Sequence, residues 1–598
     1  MNSRMAVMMS DFIFSRRPVD KGKLAEAIKG IYHQDWPEVH EFHGEWGSLA
    51  VSHNLYNGFQ PYETNTSICV VIGGPVLYFR DNTFLENGSD VAGTHSIYRR
   101  VRDGKMRWDD DVSGPFAVLM IDKQSSKVIC VTDLMSFIPV YTYENTEMVM
   151  LATHVDMLAE ASGQLEQVDA VSIVDFLLHG VVTFPYTVYT TIRQIAPASE
   201  HVMRDSTAGW RHEPYWIPDE TYHYSSIQEA AQDLQRHVQH DIQKLTHNVT
   251  EVAQFISGGE DSRVIASLLT ENADQTPNGF IFLDSMNREG RQAKKAASAY
   301  GVEFHLTTRD KLHYLTMLPP SSDLAGGGSQ YFHAHTYGFH QRCQLNTYTA
   351  VFGGLFSDAL LKGARIQKLR GSSRLPFLPQ VKQPGHSRRT PVRSRLFSTD
   401  VLGALTERRQ EHWQYVKQFR PGSADEWFQL WPSSMNMNIP NWHVNRRLFR
   451  SYEPFMVNDV VKISAAVPQR WKLNRRLFHK AFKWQLKPTK WLLHSEGRLP
   501  YFPWYVNAFV EFVMWAVREA GVRTGRIKGH QGPWAAWQTV MKSPEWQQAL
   551  TKYASGRYPP VPGMNKTNPH SMVQELEEIQ QINLMQTLYR QHQRKGRS

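Results

Sequence analysis

Apolar residues change their spacing along this chain. Between residues 47 and 158 they fall in short runs separated by turn residues: LAVSHNLY, SICVVIGG, VLYF, FAVLMID, KVICVTD, PVYTYE and EMVMLATH. Such runs predict strands, and their number predicts a β-rich domain of two packed sheets. From residue 223 the period lengthens. Ile227, Ala231, Leu234, Val238 and Ile242 mark one stripe of a helix, and Ser226 with Glu229 supplies a capping start. Short apolar runs then alternate with helical stretches. The run 252–256 precedes a helix carrying Val264, Ile265, Leu268 and Leu269, and the run 279–283 precedes a helix from Glu289 through Ala297 to Tyr300. Residues 301–305 stop that helix and begin a third strand. This alternation predicts a doubly wound parallel sheet, and an α/β class overall. Beyond a Pro/Gly linker at residue 559, Met572, Leu576, Ile579, Ile582, Met585 and Leu588 predict a last helix followed by a basic tail.

The first strand-to-helix break reads Ser257-Gly258-Gly259-Glu260-Asp261-Ser262. Two glycines let the backbone approach a ligand closely, and the amides of the next helical turn point at it, so an anion is the natural guest. Ser257 and Ser262 add hydroxyl donors. Asp261 cannot itself favour a phosphate and is expected to hold a metal ion that does. On its glycines alone the string is equally an ordinary turn with a capping Ser or Asp. As a whole it resembles the Ser-Gly-Gly-x-Asp-Ser pyrophosphate loop of the N-type ATP-pyrophosphatases, which cleave ATP between its α and β phosphates and leave AMP on an activated acyl group. The resemblance implies that Ser257, Gly258, Gly259, Asp261 and Ser262 bind ATP with Mg2+.

Other stretches resemble the asparagine synthetase family of class II amidotransferases. Val112-Ser113-Gly114-Pro115-Phe116-Ala117, Asp122, Val131-Thr132-Asp133, Pro139-Val140-Tyr141, Leu151-Ala152-Thr153-His154 and Thr191-Ile192-Arg193-Gln194-Ile195-Ala196-Pro197 follow the order of that family's glutaminase domain. An Ntn-type β-rich sandwich is therefore expected over residues 1–210, and an ATP-pyrophosphatase synthetase domain over 223–520. The family's nucleophile is a cysteine directly after the initiator Met. Here residue 2 is Asn and no cysteine precedes Cys69, so the glutaminase domain is expected to be degenerate. In the second domain, Phe352-Gly353-Gly354-Leu355-Phe356-Ser357-Asp358 resembles the family's Gly-x-Gly-x-Asp-Glu loop. This implies that Gly353 and Gly354 border the nucleotide and that Asp358 joins Asp261 on Mg2+; a helix cap at Ser357 or Asp358 is the plainer alternative. Glu453-Pro454-Phe455 lies where the family carries Glu-Ala-Arg-x-Pro-Phe, Lys480 lies in its Lys-rich helix, and Ser495-Glu496-Gly497 with Arg498 stands at its Lys-x-Gly element. The catalytic set this implies is Asp261, Asp358, Lys480 and Arg498.

Composition adjusts this picture in two places. The 598 residues are 41% hydrophobic and 21% charged, enough for two cores. No leader and no uncharged apolar span is evident, so a cytoplasmic protein is expected, with neither membrane nor nucleic acid as partner. The net charge of +9 is concentrated: from residue 362 to 395 there are ten Lys or Arg and no acid, with Pro and Gly throughout. The segment 364–396 therefore reads as a basic insertion, either a solvated loop or a lid and docking strip for an acidic or peptide substrate. Residues 555–598 form the linker, helix and tail. Cys69, Cys130 and Cys343 lie far apart, without disulfide or zinc spacing.

The reading that follows is an ATP-dependent ligase that adenylates a carboxylate and forms an amide, by intramolecular cyclisation of the lasso-peptide or β-lactam type. Its substrate is expected to be a small molecule or peptide, with a precursor peptide and a protease as partners. A divergent asparagine synthetase using ammonia or glutamine nitrogen, and a non-catalytic scaffold of a biosynthetic complex, are the alternatives.

Overall fold

The computed structural model describes residues 10–32, 37–86, 90–203, 210–247, 249, 251–272, 276–375, 377–383, 395–524, 532–554, 561–565, 573 and 575–597. The alternating runs of the first part form two six-stranded antiparallel sheets. One runs in the order Ile192–Gln194, Tyr141–Glu144, Val149–Ala152, Phe12–Ser15, Gly47–Ser52, Val39–Gly44. The other runs Arg211–Pro214, Ser199–Met203, Val128–Thr132, Phe116–Asp122, Ser67–Gly73, Tyr62–Glu63. The two-residue period assigns each side chain to a face. Phe12, Phe14 and Val51 of the first sheet share one buried core with Val70, Ile72 and Leu119 of the second. The intervening Ile13 and Ala50 pack instead with Leu24 and Ile28 of the helix Lys23–Gly30. Val71 and Val118 cluster with Ile97 of the helix Ala92–Arg102. The result is helix, sheet, sheet, helix in layers. Cys69 and Cys130 are buried in it, and burial pushes the Cys69 thiol up to about 12, so both act as packing groups.

The second part is built on the helix Ile227–Thr246 and a five-stranded sheet. Ser226 Oγ accepts the Glu229 N–H at 3.2 Å, while the Glu229 carboxylate takes the N–H of Ser225, at 3.0 Å, and not that of the cap residue. The sheet runs Glu303–Thr308, Asn278–Leu283, Val252–Phe255, Ala350–Phe352, Ser451–Tyr452, and every pair is parallel. Counted along the chain the order is 3-2-1-4-5. It reverses between Val252–Phe255 and Ala350–Phe352, and the crevice at the carboxyl ends of those two strands is where such a sheet receives a ligand. The loop 257–262 follows the first of them, and Gly353-Gly354 follows the second.

Two expectations change. The helix Glu578–Arg597 runs through the expected basic tail and packs against Ala170–His179 and Pro544–Ala554, with Ile582, Met585 and Leu588 buried. The tail is therefore part of the core packing; Met572 and the linker 555–560 lie outside the described residues. In the basic insertion, whose residues 376 and 384–394 also lie outside them, Arg370–Arg374 is helical and Gln380 is clamped by Asn474. The Gln380 N–H donates to Asn474 Oδ1 at 2.7 Å, and Asn474 Nδ2 returns a bond to the Gln380 carbonyl at 3.1 Å. The described part of the insertion is thus docked onto the second domain. No described helix is long and apolar enough to cross a membrane.

The two parts are joined by a buried ion cluster. Asp11, at the amino end of the strand Phe12–Ser15, accepts from Arg446 Nη2 at 2.9 Å and from Arg447 Nε and Nη2 at 2.7 and 2.8 Å. Both arginines belong to the helix Ile439–Leu448 of the second part. Thr153 and Tyr32 donate their hydroxyls to the same carboxylate at 2.8 and 3.2 Å, and all three charged side chains are buried.

Candidate active site

The loop 257–262 is closed on itself by its two serines. Ser262 Oγ accepts the Ser257 N–H at 3.1 Å and Ser257 Oγ accepts the Gly259 N–H at 3.0 Å. The Gly258 N–H donates to Glu289 Oε1 at 2.7 Å, from the first turn of the helix Arg288–Tyr300. Below the loop, the buried Arg263 donates to the carbonyls of Gly258, Leu492 and Leu493, each at 2.9 Å, and ties the loop to the chain that carries Arg498. The helix Glu260–Asn272 then starts with two carboxylates.

The second loop reaches the first through its glycines. A methyl at Gly353 would stand 2.2 Å from Glu453 Oε1, and one at Gly354 would stand 3.0 Å from the Asp261 Cβ, so neither position admits a side chain without displacing the site. Phe356 turns the chain with φ at 69°, and its ring packs edge-on against Phe137 of the first domain at 5.0 Å. The short helix Ser357–Leu361 follows, with Asp358 in its first turn and Lys362 just past its end.

Lys362 is the centre of the arrangement. Its ammonium contacts Asp261 Oδ1 and lies 3.2 Å from both Glu260 Oε1 and Asp358 Oδ1. Asp261 and Asp358, the two residues expected to hold a metal, are thereby brought to one point. Glu260 is further paired with Arg475 at 2.8 Å and with Arg498 at 3.3 Å. Three carboxylates and three cations share the site, with Glu260, Lys362 and Arg498 buried and Asp358 open to solvent. Burial would raise the Glu260 carboxyl, but Lys362, Arg498 and Arg475 outweigh it and hold that group well below the usual carboxylate range. Asp261 goes the other way: burial, together with the Asp358 and Glu260 charges, pushes it up to about 6 against the pull of Lys362. Asp358 is held low by Lys362 and is 66% exposed.

Glu260 and Asp261, adjacent in sequence, face different cavities. Asp261 lines a cavity of about 430 Å3 at the switch between the two strands, together with Ser257, Ser262, Gly353, Gly354 and Asp358. Glu260, Arg475 and Arg498 line a second one of about 200 Å3, walled by Leu375 and Leu378 of the insertion and by Trp504. Arg475 is aimed there by an unusual backbone: it and Asn474 are consecutive left-handed residues, with φ of 58° and 55°. Each costs about 1–2 kcal/mol and persists because neighbouring contacts impose it.

Of the residues expected from sequence, Ser257, Gly258, Gly259, Asp261, Ser262, Gly353, Gly354, Asp358 and Arg498 converge here. Lys480 does not. It is exposed on the helix Arg476–Phe482 and lines neither cavity, because that helix turns Leu477, Phe478, Ala481 and Phe482 inward. Besides Arg498, the cations in the site are Lys362 and Arg475, which the sequence reading missed. Lys362 carried a signal, an isolated lysine after Ala359-Leu360-Leu361 and four residues from Asp358 on one helical face. Glu289, Arg475 and Glu453 stood in stretches that resemble the family, but nothing in those stretches assigned them to the site.

Glu453 is buried beneath Gly353. Its Oε2 accepts the Leu355 N–H at 2.8 Å, and burial raises its carboxyl to about 8. The native state therefore keeps a proton that the unfolded chain releases above its ordinary value of 4.5. Stability falls as pH rises between those two values. Asp133 and Asp241, raised by burial to about 7, act in the same direction, so the test is a difference. In Glu453→Gln the decline in Tm from pH 5 to pH 8 should be visibly shallower than in the parent. Parallel Tm curves for the two proteins would contradict the buried, protonated Glu453.

Chemically, two serine hydroxyls and a helix amino end border a cavity that also presents two carboxylates, while the cations beside Glu260 border the neighbouring one. Hard carboxylate oxygens converging on one point are the donor set Mg2+ accepts, so Asp261 and Asp358 fit that ion. Comparison with known families divides the chain into two. The glutamine amidotransferase domain family matches residues 89–216, and the asparagine synthase family matches residues 233–495. No curated protein matches the chain. Among solved structures, it is similar to glutamine phosphoribosylpyrophosphate amidotransferase from B. subtilis complexed with ADP and GMP. The identity is 9% and the TM-score 0.23, over 50% of this chain and 65% of that one. It is also similar, at 10% identity and a TM-score of 0.21, to the allosteric regulatory enzyme of purine biosynthesis, over 51% of this chain and 75% of that one.

Proposed function

Since the chain belongs to the asparagine synthetase-like proteins, a family of ATP-dependent amidotransferases and ligases, we propose that it activates a carboxylate as its acyl-adenylate and closes an amide within the same substrate. The observation that carries this reading is the convergence of the loop 257–262 and the loop 353–358 on the buried Lys362. The substrate carboxylate attacks the α-phosphate of ATP, and the bond to the β-phosphate breaks. The charge that develops on the leaving pyrophosphate faces the Ser257 and Ser262 hydroxyls and the amino end of the helix Glu260–Asn272, with Lys362 beside Asp261. Mg2+ held by Asp261 and Asp358 would neutralise phosphate charge there. An amine of the same molecule then attacks the acyl carbon, and AMP leaves with the bonding pair.

Two features support an internal amine over glutamine. At the amino end of the first strand stands Asp11, a carboxylate locked to Arg446 and Arg447 and therefore no nucleophile for a glutamine amide. The docked insertion adds an apolar wall, Leu375 and Leu378, to the cation-lined cavity, which suits a peptide or an extended specialised metabolite. The test is pyrophosphate release across candidate amino acids, peptides and small acids, followed by mass spectrometry of the product. A product lighter than its substrate by one water, with AMP formed in equal amount, is expected. Glutamine labelled in its amide nitrogen should leave no label in the product. Labelled product would overturn the cyclisation reading in favour of nitrogen transfer.

A further inference from the structure

We propose that Lys362 is a built-in counter-cation, which holds the two phosphate-site loops together in the free protein and yields its carboxylates when a divalent cation enters. The inference rests on the reading of this cavity as a Mg2+–ATP site. Three carboxylates meet the Lys362 ammonium, two from the helix after the first loop and one from the helix after the second. Glu260 has Arg475 and Arg498 besides. For Asp261 and Asp358, Lys362 is the one cation within ion-pair distance among the described residues. Without it the half-buried Asp261 and the more exposed Asp358 would face each other as like charges and repel.

Lys362 is also no ordinary surface lysine. Its side chain is 3% exposed, and its ammonium stands 4.4 Å from the centre of the Phe478 ring. That ring offers the ammonium a second, non-ionic resting contact. The chain therefore contains what a divalent ion must displace and a place for the displaced group to go. A triphosphate in the adjoining cavity would give the freed ammonium an anion in exchange for the carboxylates. Mg2+ and nucleotide should then bind cooperatively, each binding better when the other is present. Lys362 acts on the loops through Asp261 and Asp358, and in the free protein it is a positioning residue.

The test uses the full chain without nucleotide. In Lys362→Met, which keeps the length of the side chain and removes its charge, the Tm should drop in EDTA and recover most of the loss in millimolar Mg2+. The parent protein and Lys362→Arg should shift little with Mg2+. A purely structural lysine would leave the variant's loss unrescued. A Lys362→Met that responds to Mg2+ no more than the parent does would overturn the proposal. Should that variant fail to fold at any Mg2+ concentration, the parent decides. Its Mg2+ affinity by calorimetry should be about tenfold tighter with a non-hydrolysable ATP analogue bound than without, and equal affinities would overturn the proposal. The rescue is read without nucleotide, so it stands or falls apart from ATP binding, whereas the ligase reading fails if no ATP analogue binds the parent.

Discussion

Asp261→Asn is expected to lower pyrophosphate release by roughly 10^3-fold while leaving the fold in place. The asparagine keeps the shape of the side chain against Gly354, but it removes one of the two carboxylates that fit Mg2+ and one of the three that position Lys362. Unfolding is not expected, because burial and two neighbouring acids raise Asp261 to about 6, so the native site gains little stability from its charge. The loss should fall on kcat, since the developing pyrophosphate charge is what the site serves. Steady-state pyrophosphate assays and a thermal melt check both halves. Parental turnover in this variant would sink the adenylation reading, and a collapsed melt would show that the carboxylate is structural.

The second large effect is on stability. Asp11→Ala should cost about 3–5 kcal/mol, because it leaves two buried guanidinium groups without their carboxylate. Burial disfavours the Asp11 charge, but Arg446 and Arg447 outweigh it and hold the carboxyl far below the usual range. The sign of the pH dependence follows. The cluster contributes its full stability above the ordinary aspartate value and loses it as pH falls below about 4. Asp11→Asn keeps two hydrogen-bonding atoms and should fall between parent and Ala. Urea denaturation of the three proteins at pH 7 and pH 2 checks this, with the differences shrinking at the lower pH. Because Asp11 comes from the first domain and both arginines from the second, the variant should also weaken their association, seen as faster proteolysis between residues 215 and 225. Equal stability of Asp11→Ala and the parent would mean that the arginines find water instead.

Much of this was legible in the chain. Period-two runs gave the paired sheets, and alternation of strand and helix gave the parallel one, because each periodicity decides which face meets the core. The loop 257–262 was legible for a similar reason: Ser257, Gly258, Gly259, Asp261 and Ser262 lie within six residues, so their geometry is set locally. Gly353, Gly354 and Asp358 were legible as a second local string. Arg498 reached the site as expected, but Lys480 did not, since a single helical turn decides whether a cation faces the core or solvent. Glu453, Arg475 and Glu289 lay in family-like stretches, but their place in the site was not legible, as each enters it from a distant element.

The amino-acid sequence by itself determined the order of the elements and the two glycine loops 257–262 and 353–358, all properties of residues close in the chain. Only the tertiary structure decided where the charges meet. Asp11 finds Arg446 and Arg447 across more than four hundred residues, and Lys362 gathers Glu260, Asp261 and Asp358 from two loops. The reason is that a strand and its turn are fixed by nearest neighbours. An ion cluster exists only where folding has excluded water from charges that the chain keeps apart.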